Sequence, residues 1–124
     1  EQHRSIRERQ FALYDEAVAE LNGIAPLARD PRDTHAFHLY VVRIAGGLRD
    51  EFQRQLGEEG ISTSIHFLPV HRLAWYRERY EADCPVAERA GGEVLSLPLS
   101  PAHSDDDIRA VIDALRRVHA RLAG

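Results

Sequence analysis

Apolar side chains fall into two helical stripes at the ends of the chain, with shorter alternating runs between them. Ile6, Gln10, Leu13, Tyr14, Ala17, Val18 and Leu21 lie near one face at helical spacing and predict a helix over 3–22. Asn22-Gly23 supplies its stop, because glycine adopts the left-handed cap conformation cheaply. Two prolines between Ile24 and Thr34 predict a loop. His35 to Ile44 is rich in aromatic and β-branched residues and predicts a strand. Phe37, Leu39 and Val41 share one of its faces, and His38, Tyr40, Val42 and Ile44 the other, so it reads as a central strand covered on both sides.

Gly46-Gly47 predicts a turn into a helix over 48–58, carried by Leu48, Phe52 and Leu56 and ended by Gly60. Residues 61–66 alternate, with Ile61, Thr63 and Ile65 facing one way and Ser62, Ser64 and His66 the other, which predicts a second strand. Phe67 to Pro85 reads as a structured loop with a helical turn. Val86 to Ala90 predicts a brief helix before a turn at Gly91-Gly92, and Val94 to Leu97 a third strand closed by Pro98. Ser104 followed by Asp107 forms a capping box, opening a helix whose stripe is Ile108, Val111, Ile112, Leu115, Val118 and Leu122. The expected fold class is α+β, a small and mainly antiparallel sheet of about three strands covered by helices.

The chain has 124 residues, enough for one domain with one core. A net charge of −4 argues against a general nucleic-acid binder, which would show clustered positive charge. No apolar run approaches the ~20 residues of a membrane helix, and the first ten residues are too polar for a signal peptide, so neither nucleic acid nor membrane is an expected partner. The single cysteine, Cys84, has no internal disulfide partner, which fits a cytoplasmic location. All 16 basic side chains are arginine. Without lysine, Schiff-base chemistry on an internal side chain is excluded. The absence of methionine and a first helix without an upstream partner lead to the expectation that another domain is missing from this chain.

His66, His71 and Cys84 would be the donors of a metal site, but Pro69 intervenes and no second closely spaced pair exists, so no metal is expected. Cys84 beside Pro85 reads as a packed thiol rather than a nucleophile. Asp105, Asp106 and Asp107 read as a helix N-terminus. Gly46-Gly47 and Gly91-Gly92 lack the context of a phosphate-binding loop, and no G-x-S-x-G elbow organises a nucleophile. The segment from His66 to His71 is the most informative. A polar strand face ends in a histidine, proline breaks the chain, and a second histidine follows among aromatics. That is either a site at an open sheet edge, able to hold a hydroxylated or phosphorylated ligand, or one histidine holding a loop and another lying exposed.

Five segments occur in order: 37–43 (FHLYVVR), 60–71 (GISTSIHFLPVH), 76–80 (YRERY), 84–89 (CPVAER) and 95–99 (LSLPL). Together they resemble the C-terminal part of the DegT/DnrJ/StrS family of nucleotide-sugar aminotransferases, over about residues 3–122. The resemblance implies the small domain of a fold-type-I pyridoxal-phosphate enzyme, with residues 1–23 as a linking helix and 35–124 as the sheet-and-helix body. The large cofactor domain would lie outside this chain. The parent would be a homodimer that moves an amino group from glutamate or glutamine to a keto-sugar nucleotide. The small domain would close one wall of its cleft.

Residue by residue, His66, Phe67 and His71 match the family's strand-exit motif toward the cofactor and sugar. With Tyr76 they are the expected substrate-binding residues. His38 and Tyr40 match its HLY strand and are expected to be structural. No catalytic, cofactor-binding or metal-binding residue is expected here, and the chain alone should be inactive and bind no pyridoxal phosphate. The residues leave other readings open: a free-standing ligand-binding or regulatory α+β module, or a dehydratase or cyclitol-aminating member of the same family.

Overall fold

The computed structural model describes residues 2–122. Helix α1 (Gln2–Val18) is followed by strand β1 (Ile24–Pro26), strand β2 (Tyr40–Ile44) and helix α2 (Arg49–Glu58). A 3-10 turn (Val70–Arg72) and a four-residue helix α3 (Ala74–Arg77) precede helix α4 (Pro85–Glu93), strand β3 (Val94–Leu97) and helix α5 (Asp105–Leu122). The strands form one antiparallel sheet in the order β1-β2-β3, an α+β domain of the class the sequence predicts.

Two of the strands differ from expectation. Ile24–Pro26, read as loop, pairs with β2 in the register Ile24↔Ile44 and Pro26↔Val42. Proline is tolerated there because β1 is an edge strand and its missing N–H interrupts no interior ladder. The segment 61–66 is not a strand. It meets the sheet at one bridge, where Ser64 N–H donates to Ser96 O at 3.2 Å and Ser96 N–H to Ser64 O at 2.8 Å. Its expected alternation survives in burial, with Ile61, Thr63 and Ile65 half-buried and Ser62, Ser64 and His66 exposed.

The central strand begins only at Tyr40, because Phe37 sits at φ 51°, in the left-handed region that no strand uses. From there Tyr40, Val42 and Ile44 alternate into the core as expected, whereas His38 is exposed. α1 ends at Val18, before Asn22-Gly23, and Glu20 and Leu21 continue as single turns.

Helices α1, α2 and α5 cover one side of the sheet. Phe11, Tyr14 and Val18 from α1 meet Phe52 and Leu56 from α2 and Ile108, Leu115 and Val118 from α5, all buried with Val42, Leu95 and Leu97. Each such large side chain contributes roughly 1.5–3 kcal/mol on leaving water. Phe11 lies edge-on to Tyr40 at 4.9 Å, and Tyr14 stacks on the same ring at 4.7 Å. Two polar side chains inside are tied to backbone: Gln10 Nε2 donates to Ser100 O and His103 O, and the Tyr14 hydroxyl to Pro98 O at 2.7 Å. The capping box forms reciprocally, Asp107 N–H donating to Ser104 Oγ at 3.1 Å and Ser104 N–H to Asp107 Oδ2 at 2.7 Å.

Candidate functional site

The candidate residues sit on the strap that leaves the Ser64–Ser96 bridge and crosses to α4. Three contacts fix it. His66 Nδ1 lies 3.0 Å from Ser96 Oγ on β3. His71 Nε2 lies 2.6 Å from Glu88 Oε1 on α4, and Arg72 Nε reaches the same carboxylate at 2.9 Å. Pro69 packs against Gly91, where a Cβ would stand 2.5 Å from its Cγ. This close approach accounts for Gly91, the first of a pair whose sequence predicts a turn. Gly91 and Gly92 are helical, α4 runs through them to Glu93, and Gly91 leaves room for the strap. Arg49, almost fully buried, anchors that end of α4 by donating to Gly91 O at 3.2 Å and Val94 O at 2.9 Å.

His66 and Phe67 form one cluster. The imidazole is exposed and stands edge-on to the Phe67 ring at 5.2 Å, and Phe67 is 79% exposed, the most uncovered large apolar side chain on the domain. His71 and Tyr76 form a second. They line a cavity of about 420 Å³ with Val70, Tyr80, Cys84 and Ala87, and its walls are almost wholly apolar. Trp75 lies edge-on to Tyr76 at 4.9 Å, with the Arg79 guanidinium 4.4 Å over the indole. His66 and Phe67 do not line that cavity, so the four expected residues are divided between two adjacent patches of one strap.

Hydrogen bonding from His71, reinforced by the Arg72 charge, holds the Glu88 carboxyl below the usual glutamate range. Cys84, His71 and His66 do not converge, and among the described residues no group of three or more His, Cys, Asp or Glu side chains is placed to hold a metal ion. No helix there is long and apolar enough to cross a membrane.

Sequence reasoning named the two histidines but missed their partners, Ser96 and Glu88. Glu88 lies 17 residues and Ser96 30 residues from the imidazole each one holds, and no local spacing signals such pairs. The exposed run of Phe67, Leu68, Val70, Trp75, Tyr80 and Val86 is a contiguous stretch of chain whose apolar side chains the domain leaves uncovered. Surfaces of that kind mark contacts with other protein or with ligand.

Comparison with known proteins adds four findings. The model of the DegT/DnrJ/EryC1/StrS aminotransferase family matches residues 1–116. The spore coat polysaccharide biosynthesis protein SpsC of Bacillus subtilis is 40% identical over 121 residues, 90% of this chain and 31% of that protein. A dTDP-3-amino-3,6-dideoxy-alpha-D-galactopyranose transaminase of Aneurinibacillus thermoaerophilus is 38% identical over 84 residues, 67% of this chain and 23% of that protein. Among solved structures, the aminotransferase TlmJ of Streptoalloteichus hindustanus superposes with a TM-score of 0.91 at 31% identity, covering 98% of this chain and 33% of TlmJ. The chain therefore spans a third or less of the length of these relatives.

Proposed function

This chain belongs to the DegT/DnrJ/EryC1/StrS aminotransferase family, and on that premise we propose that it is the small, C-terminal domain of a pyridoxal-phosphate-dependent sugar aminotransferase. The whole protein transfers an amino group from glutamate or glutamine to a keto-sugar nucleotide, works as a homodimer in the cytoplasm, and carries its cofactor in a large domain. Helix α1 leads in from the large domain and packs into the core of the small one, whose sheet and helices close one wall of the cleft.

The cofactor's covalent role does not fit these residues. Holding a carbonyl cofactor as an imine requires a side-chain primary amine, and the chain has no lysine. The strap carries imidazoles, phenols and guanidinium groups, which bind and orient. Its role is therefore recognition. His66 offers an imidazole to a sugar hydroxyl or phosphate oxygen, and Phe67 covers an apolar face of the ligand. His71 and Tyr76 shape the neighbouring cavity.

One observation carries this reading: His66 and Phe67 are exposed on a strap held to β3 at Ser96 and to α4 at Glu88. A rigid, uncovered recognition surface is what a cleft wall between two domains requires. In the full-length protein His66→Ala lowers kcat/KM for the keto-sugar by about 5- to 150-fold, the effect of losing one buried hydrogen bond worth roughly 1–3 kcal/mol. The half-reaction with the amino donor changes little, and the melting temperature falls only modestly, through the lost contact to Ser96. Early melting with unchanged kinetics would make His66 a structural residue and remove the assignment.

A further inference from the structure

The geometry points to Ser96 as a positioning residue for His66, one that fixes which ring nitrogen carries the proton and thereby the hydrogen bond that histidine offers. This deepens the reading of His66 as a recognition residue and rests on it. Ser96 lies on β3 between Leu95 and Leu97, which face the helical core, so its own side chain points to the opposite side of the sheet. It is nevertheless only 5% exposed, and beside it, at the sheet edge, Ser64 exchanges two backbone hydrogen bonds with it. Ser96 is thus a buried residue, and its hydroxyl has His66 Nδ1 at 3.0 Å as its side-chain partner.

A hydroxyl has one proton to give, and burial penalises leaving that proton unpaired more than leaving a lone pair unused. If Nδ1 carried a proton and donated to Oγ, the Ser96 O–H would be buried without an acceptor. The favoured arrangement is the reverse. Ser96 O–H donates to an unprotonated Nδ1, and the proton of the neutral ring resides on Nε2. The exposed nitrogen is then a donor, so His66 is suited to an acceptor oxygen on its ligand, a phosphate or sugar hydroxyl oxygen, and not to an N–H group. The bridge at Ser64 places the imidazole two residues farther along the strap, within reach of the same serine. One residue therefore sets both the backbone course and the ring orientation.

The test uses the full-length protein labelled with 15N-histidine, with the His66 signals identified by their loss in His66→Gln. Without substrate, wild type shows an unprotonated Nδ1 and a protonated Nε2. Ser96→Ala shifts both signals toward the averaged values of a free imidazole, and Ser96→Thr restores them. In the same proteins KM for the keto-sugar rises about 2- to 12-fold in Ser96→Ala, the size of one ordinary hydrogen bond, with the amino-donor half-reaction unchanged. Should Ser96→Ala fail to fold, Ser96→Cys replaces it, since a thiol of similar volume is a much weaker donor. A protonated Nδ1 in wild type, or an unchanged tautomer in Ser96→Ala, overturns the proposal. A shifted tautomer with kinetics unchanged in both Ser96→Ala and His66→Gln supports the positioning role and instead removes His66 from the ligand.

Discussion

Two adjacent glycines in α4 offer a matched experiment on how the strap is held. Adding a methyl group at Gly91 would place a carbon 2.5 Å from Pro69 Cγ and 2.8 Å from its Cδ, both atoms of a rigid ring. At Gly92 the same methyl meets nothing within 4 Å. Both positions are helical, so both substitutions gain helix propensity, up to about 1 kcal/mol. Gly91→Ala also incurs the overpacking cost of a filled contact, roughly 1–3 kcal/mol. The expected outcome is that Gly92→Ala is neutral or stabilising by up to about 1 kcal/mol. Gly91→Ala is expected to be destabilising, the two variants differing by about 1–3 kcal/mol. Urea unfolding of the two variants beside wild type measures this, with equal m-values required for the comparison. The displacement should also reach the site, because Pro69 lies between His66 and His71. In the full-length protein KM for the sugar substrate rises in Gly91→Ala and not in Gly92→Ala. Gly91→Ala as stable as Gly92→Ala would refute the claim that this close contact seats the strap.

Arg49→Leu leaves Gly91 O and Val94 O without their donor and is expected to cost about 1–3 kcal/mol, read as a lower urea midpoint at unchanged m. The Glu88 contact gives a pH signature. Its carboxyl is held below the ordinary glutamate value of 4.5, so the stability it contributes is present above that pH and lost as pH falls through the folded value. The difference in melting temperature between wild type and Glu88→Gln should therefore be largest near neutrality and close below about pH 4.5. A difference that persists undiminished in acid would contradict the ionic contact.

The parts of the fold that depend on local pattern were legible in the sequence. Helix α5 follows from its stripe and capping box, and the inward face of β2 from the alternation of Tyr40, Val42 and Ile44. The errors arose where tertiary context overrides local signal. Ile24–Pro26 is three residues with a proline, and only pairing to β2 makes it a strand. The run 61–66 alternates as a strand does, yet it touches the sheet at Ser64 alone. Gly91-Gly92 looks like a turn until Pro69 is seen filling the space beside it. The candidate residues His66, Phe67, His71 and Tyr76 are named by the strap's own segment and its resemblance to the family. Ser96 and Glu88 are not, because the folded chain, not sequence spacing, brings them to the two imidazoles.

The central claim is that this domain serves amino transfer to a nucleotide-linked keto-sugar. The most direct measurement incubates the full-length protein with pyridoxal phosphate, a thymidine diphosphate keto-sugar, and glutamate or glutamine labelled with 15N at the transferred nitrogen, followed by mass analysis of the sugar nucleotide. The account predicts a 15N-labelled amino sugar, formed in step with the donor's keto acid and at a much lower rate in His66→Ala at limiting sugar concentration. A sugar product that has lost water and gained no nitrogen would place the protein among dehydrating enzymes, and labelled product formed equally fast in His66→Ala would detach this strap from the substrate.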